Sequence, residues 1–371
     1  MVEVFMRDEE EVWLPSREVF LPHHPSGIEK ETVVGGAHGE GGELEIDESQ
    51  FTPREVESGQ TTQSLSQSHP SYSGCGVINS AFIPPAQRKV MSLQTKLEVV
   101  CLELLKKTST DLPPDVERAL EKAEKGERDP VARANLRAIL ENLRVARERG
   151  VPLCQDTGLP LFYFWMDPSL PLDPFEAARK AVKKATREGF LRPNTVHPLS
   201  RKNEGNNLGK EMPRVKVFRR RGEEVEVTVL LKGAGSENCS KLIMLAPEKG
   251  LEGIKELVVK AVAEAGGKPC PPIILGVGIG GNAELSMELA NLSLLRPLPE
   301  RHREPSLRRL EEELEKRINR LGLGPMGLGG KTTCLGVKVE YAHTHTASLP
   351  VSLSFLCWAA RRASASLEVG G

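Results

Sequence analysis

The stretch RVKVFRRRGEEVEVTVLL, residues 214–231, decides the fold class. RVKVF (214–218) and VEVTVLL (225–231) each alternate apolar and polar residues, the period of a strand whose side chains face opposite ways in turn. The Arg-Arg-Gly-Glu between them reads as a hairpin turn, and a hairpin means antiparallel pairing. Helical periods surround it. Upstream, Leu97, Val100, Cys101 and Leu104 recur at helical spacing, and Pro114-Asp115 opens a second helix that breaks near Gly126. Asp129-Pro130 is an N-cap followed by proline at the first turn, with Leu136, Ile139, Leu140 and Leu143 on one face. Asp173-Pro174 starts a fourth helix with Phe175, Ala178, Val182 and Ala185 inward. Downstream, Leu251 to Val262 marks a helix ending at Gly266-Gly267. IILGV (273–277) is a buried strand, Ala283–Leu295 and Pro305–Leu321 are helices, and LGVKVEY (335–341) is a further strand. The expectation is a mixed α/β (α+β) domain, with helices packed on mixed or antiparallel sheets.

The chain has 371 residues, with 50 Lys plus Arg against 51 Asp plus Glu. That balance argues against a nucleic-acid binder, which needs a basic excess. Apolar residues are 39% but aromatics only 4%, so the core is built from Leu, Val, Ile and Ala. The longest late apolar stretch, Leu349 to Ala360, is too short to cross a membrane and contains Pro350. The N-terminus lacks the apolar region of a signal peptide, so a cytoplasmic protein is expected. Residues 1–90 are rich in Gly, Ser, Gln, Thr and Glu without a sustained apolar period, and are expected to be largely disordered. An initiation codon misplaced upstream of Met91 would account for them, which the intact mass of the native protein reads directly. The functional domain is then 91–371.

Seven cysteines, an odd number with no Cys-x-x-Cys pair, argue against a disulfide framework and against local zinc or ferredoxin motifs. Any metal site must come from distant segments. Four islands carry more Gly, Cys and polar residues than folding alone requires: PLCQDTG (152–158), KGAGSENC (232–239), CPP with GVGIGG (270–281), and GLGPMGLGGKTTC (322–334). A fifth, HTHTASLP (343–350), leads to Cys357. Gly276, Gly278 and Gly281 match a dinucleotide fingerprint after a strand, but no second apolar strand ending in an acid follows Ala283–Leu295. That absence weakens a dinucleotide-binding oxidoreductase. Gly330-Lys331-Thr332 resembles a phosphate loop, except that its first glycine position is Pro325. A lone buried cysteine is ordinarily a small hydrophobe, which serves Cys101 and Cys334. Cys154 lies in a polar turn and Cys270 before two prolines. Spacing alone leaves them, with Cys357, as core thiols or as metal ligands.

Together the islands PLCQDTG, LKGAGSEN, CPPIILGVGIGG, GLGPMGLGGKTT and HTASLPVSLSFLC, in this order across residues 91–371, resemble the iron–sulfur hydro-lyases. These are class I fumarase and L(+)-tartrate dehydratase, and the likeness is to the α subunit of the two-subunit branch. The resemblance implies a [4Fe–4S] cluster held by Cys154, Cys270 and Cys357, with Cys239 and Cys334 outside the ligand set. It implies Asp156 and His345 as a coupled proton donor, Gln155 and Arg192 toward a dicarboxylate substrate, and Gly235 as a backbone contact. In that family a separate C-terminal domain supplies the catalytic base and further cations. This chain stops at Gly371, about where the α part ends, so a β subunit is the expected partner. A non-catalytic subunit keeping the fold is the remaining alternative.

Overall fold

The computed structural model describes residues 91–369, so the expectations for residues 1–90 fall outside it. The predicted helices form: α1 (Leu93–Thr110), α2 (Pro114–Gly126), α3 (Pro130–Arg149) and α4 (Pro174–Arg187). The Asp129 side chain accepts from the Ala132 N–H, and the Asp173 side chain from the Glu176 N–H. Each cap satisfies a donor that the first helical turn leaves without a partner. Phe175 differs from expectation. It sits in the first turn of α4 with its ring exposed, while Ala178, Val182 and Ala185 face the core.

Two four-stranded sheets organise the rest. The first contains β1 (Leu159–Met166), β2 (Arg214–Arg219), β3 (Glu224–Lys232) and β8 (Arg361–Glu368), in the order β2-β1-β3-β8. The predicted hairpin is therefore split. β1 lies between the two strands, parallel to β2 and antiparallel to β3. β1 is LPLFYFWM, with both Phe162–Phe164 and Tyr163 buried, so it takes the position that is covered on both faces. The four residues Arg220–Glu223 cross its end, and the Arg220 N–H donates to the Met166 carbonyl.

The second sheet contains β4 (Lys241–Leu245), β5 (Ile273–Gly280), β6 (Cys334–Ala342) and β7 (Leu349–Leu356), in the order β4-β7-β5-β6. β5 and β6 are parallel, joined through α7 (Ala283–Ser293) and α8 (Pro305–Asn319). The parallel unit that the sequence reading found missing is thus present, but Gly276 and Gly278 lie inside β5 rather than in a loop after it. Short α5 (Ala234–Glu237) follows β3, and α6 (Gly250–Ala265) follows β4.

Three apolar cores result. α1 and α4 cover one face of the first sheet. The second sheet packs with α6 and α8. A third core, holding Leu120, Leu136, Tyr163, Leu230, Ile274 and Leu356, joins α2, α3 and both sheets. That third core brings corresponding ends of the two sheets together, and the site lies there. Among the described residues no helix is long and apolar enough to cross a membrane.

Candidate functional site

Strand register decides which loops meet. Leu159 pairs with Lys232, so the start of β1 and the end of β3 share one end of the first sheet. Ile274 pairs with Leu356, so the start of β5 and the end of β7 share one end of the second. The loops attached there carry Cys154, Gly233–Cys239, Cys270 and Cys357. Hydrogen bonds tie them. The Asp156 carboxylate accepts from the Gly158 N–H (2.9 Å) and the Ala234 N–H (2.6 Å). The Trp358 N–H donates to the Cys270 carbonyl at 3.1 Å. Arg361, at the start of β8, donates from Nη1 to the Asp156 carbonyl at 2.8 Å.

These contacts bring three thiols into electrostatic range of one another. Burial pushes the Cys270 thiol up, and the neighbouring Cys154, Asp156 and Cys239 add to the rise. Burial pushes Cys357 up to about 11, opposed by Arg361 and reinforced by Cys270 and Cys154. Cys270 has φ of +52°, a left-handed conformation that costs a non-glycine residue on the order of 1 kcal/mol and persists only where its surroundings impose it. Among the described residues, no three His, Cys, Asp or Glu side chains converge as they would around a single ion. Three free thiols beside a fully buried guanidinium match a thiolate-held, negatively charged group.

Cys239 and Cys334 differ from these three. The Cys239 thiol donates to the Gly235 carbonyl at 3.3 Å, and the Cys334 thiol to the Gly336 carbonyl at 3.2 Å. Both are buried, whereas Cys154, Cys270 and Cys357 are partly exposed; the Cys270 and Cys357 thiols make longer contacts, 3.9 Å to the Lys268 carbonyl and 3.7 Å to the Ala359 carbonyl.

Beside the loops lies a cavity of about 600 Å³, lined by Gln155, Asp156, Arg192, Asn194, Lys232 and Glu237 among others. Two of these residues come from the loop after α4. Buried Thr157 accepts from the Arg192 N–H (3.0 Å) and from Asn194 Nδ2 (3.2 Å). Asn207, 1% exposed, accepts from the Asn194 and Thr195 N–H groups and donates to the Arg192 carbonyl and Thr186 Oγ1. That clamp holds Arg192 on the cavity wall. Buried Lys232 donates to Ser354 Oγ (2.7 Å) and Ser240 Oγ (3.0 Å) and pairs with Glu237 (2.5 Å). Burial pulls its amine below the usual lysine range, against the opposing pull of Glu237.

Gly235 is fixed by packing. A Cβ there would stand 3.0 Å from the Lys268 carbonyl oxygen, so a side chain would press on the loop that carries Cys270. His345 lies elsewhere in this chain. It precedes Leu349, where β7 begins, whereas Cys357 follows Leu356, where β7 ends. Seven strand steps of about 3.4 Å put roughly 24 Å between those ends. His345 is exposed, and its Nδ1 accepts from the Ala347 N–H at 3.1 Å. A direct Asp156–His345 pair within one chain is therefore not formed. Thr157, Asn194, Lys232, Asn207 and Arg361 were not singled out from sequence. The two adjacent arginines at 361–362, closing an apolar run, were the available signal for the last of these.

A protein-family model described as fumarate hydratase (Fumerase) matches residues 99–366. The chain is 46% identical over 274 residues to the "Putative L(+)-tartrate dehydratase subunit alpha" of Methanocaldococcus jannaschii, covering 72% of this chain and 96% of that one. It is 38% identical over 283 residues to the "Putative fumarate hydratase class I" of Geobacillus stearothermophilus, covering 74% of this chain but 55% of that longer protein. It is 31% identical over 270 residues to the L(+)-tartrate dehydratase subunit alpha of Escherichia coli K12, covering 72% of this chain and 89% of that one.

Proposed function

The chain belongs to the fumarate hydratase family of hydro-lyases, and from that premise we propose that it is the α subunit of an iron–sulfur enzyme that reversibly removes water from a 2-hydroxy dicarboxylic acid. The substrate pair is (S)-malate and fumarate. The observation that carries this reading is the meeting of Cys154, Cys270 and Cys357 beside a polar cavity holding Arg192 and Asp156.

Cys154, Cys270 and Cys357 would hold a [4Fe–4S] cluster, whose iron without a protein ligand supplies Lewis-acid chemistry toward hydroxyl and carboxylate oxygens. Hydroxide is a poor leaving group, and that is the difficulty such chemistry meets. The chain's own residues do the rest. Arg192, with its planar fork of donors, pairs with a substrate carboxylate. Gln155 offers an amide to the same ligand. Asp156 has both carboxylate oxygens held by backbone N–H groups, so it presents a fixed proton-transfer group at the cavity edge. His345 stands at the far end of β7, so the proton role is argued for Asp156 alone. The cytoplasm, where thiols stay reduced, is the compartment this reading needs.

Two of the relatives bear the name of an alpha subunit. That supports a β subunit carrying the remaining substrate contacts and the catalytic base, with the active site at the interface. A second substrate reading, L-tartrate to oxaloacetate, is favoured by the 46% identical relative's name. The test is anaerobic co-expression of residues 91–371 with a candidate β subunit, iron and sulfide reconstitution, and parallel assays with malate and tartrate. Malate turnover is expected only in the presence of both chains. Arg192→Ala is expected to raise KM by about ten- to hundred-fold, the loss of one charge-assisted bidentate contact of about 1.5–3 kcal/mol. Turnover of neither acid by a loaded complex would sink the hydro-lyase assignment.

A further inference from the structure

Arg361 is 1% exposed and leads the largest fully buried side chains of the described residues. Its Nη1 donates to the Asp156 carbonyl at 2.8 Å, and its Nε is buried without a hydrogen-bond partner. Arg362, Arg296 and Arg301 also hold buried nitrogens without a hydrogen-bond partner, but each of these has a carboxylate in an ion pair. Lys338 donates to the carbonyls of Pro297, Leu298 and Glu300, Arg362 pairs with Asp115, and Lys232 pairs with Glu237. Among the described residues, Arg361 has no carboxylate within ion-pair reach. A buried charge without a counter-charge is strongly disfavoured, and a buried donor left unpaired adds to the penalty.

The surroundings point to what answers it. Arg361 is bound to the backbone of the loop that carries Cys154 and stands four residues after Cys357. The Asp156 carboxylate, two residues after Cys154, is held by the Gly158 and Ala234 N–H groups and forms no ion pair with Arg361. We propose that Arg361 is the buried counter-charge of the three-cysteine site, placed to balance the thiolates and the cluster they hold. This rests on the cluster reading above. It assigns a role to a side chain that touches neither the substrate nor the ligand sulfurs through any hydrogen bond. Arg361 is thus a positioning residue for the centre.

The inference predicts opposite effects on the two forms of the protein. Without iron, Arg361 is an unbalanced buried charge, so Arg361→Met relieves strain in that form. With iron, the same substitution removes the balancing charge. The experiment uses the α/β complex made anaerobically, together with the same complex stripped by a chelator. It compares wild type, R361M and R361K by iron per chain, by cluster reduction potential and by melting temperature. Expected for R361M is at least a five-fold fall in retained iron, a more negative potential in what remains, and an iron-free form that melts no lower than the wild type. R361K keeps the charge and is expected to retain at least half of the iron. Equal lowering of both melting temperatures in R361M, or failure to fold at all, would make Arg361 a packing residue and overturn the proposal. So would an R361M complex with wild-type iron content and potential, or an R361K complex that loses iron as fully as R361M. Iron uptake by the wild-type complex separately tests the cluster reading. A wild-type complex that takes up none removes that reading and this one with it.

Discussion

Cys154→Ser, Cys270→Ser and Cys357→Ser are each expected to lower turnover of the loaded α/β complex about a thousand-fold and to reduce bound iron, while Cys239→Ser stays within about three-fold of wild type. The size follows from the chemistry. A Lewis acid at the leaving oxygen is worth several kcal/mol of transition-state stabilisation, and about 4 kcal/mol corresponds to three decades of rate. The contrast with Cys239 follows from the geometry. The Cys239 thiol already donates to the Gly235 carbonyl, and a serine hydroxyl there donates to the same acceptor. The three ligand candidates sit on separate loops that meet at corresponding sheet ends, so losing any one opens a site that the other two cannot close. Iron per chain and malate turnover, measured on the same preparations, check this. A Cys239→Ser complex as depleted as the other three would place a fourth thiol in the ligand set, and undiminished activity in any of the three would remove that residue from it.

The helices were legible because they carry their own punctuation. Asp129-Pro130 and Asp173-Pro174 start α3 and α4 where the capping rule puts them. Strand partners were not legible in the same way. RVKVF and VEVTVLL are strands of one sheet, but pairing depends on what else competes for the central position. LPLFYFWM wins it because both of its faces are apolar. A continuous apolar run has no period to read, and β1 was hidden for that reason. In the site, the three cysteines and Arg192 were singled out by the family resemblance, while spacing alone left the cysteines as core thiols or ligands. Arg361 was opaque, since an arginine reads as a surface residue until the fold shows what surrounds it. The reverse error was Phe175, whose ring is exposed although its side chain is apolar. Within one chain Asp156 and His345 lie apart, since the ends of β7 point to different loops.

Gly278→Ala is expected to destabilise the chain by about 3 kcal/mol or more, the upper range for overpacking, and to lower the melting temperature on the order of 6 °C or more. Gly276 and Gly278 carry two of the three positions of the dinucleotide-like motif, so their role bears on function as well as fold. In the structure they lie within β5, and α7 is pressed against them. A Cβ on Gly278 would overlap the Ser286 carbonyl oxygen and stand 2.7 Å from the Ala290 nitrogen. A Cβ on Gly276 would overlap the Ala290 carbonyl oxygen and stand 2.7 Å from Ser293 Oγ. The obstacles are mainly helix backbone, which cannot rotate aside as a flexible side chain would, so relief requires α7 to move off the sheet. α7 also carries Asn291, which accepts from Ser354, the partner of Lys232 at the cavity wall. The collision therefore reaches the site through one chain of contacts. Gly126→Ala is the control: nothing stands within 4 Å of its added Cβ, and alanine favours the helix that Gly126 ends. Thermal melts of the three proteins, with a nucleotide-binding measurement beside them, separate the two roles of the motif. A melting temperature lowered in Gly278→Ala but not in Gly126→Ala, without nucleotide binding in the wild type, makes these glycines the means by which α7 packs on β5. An unchanged melting temperature with lost nucleotide binding would restore the dinucleotide-binding reading and move the chain to a different class of enzyme.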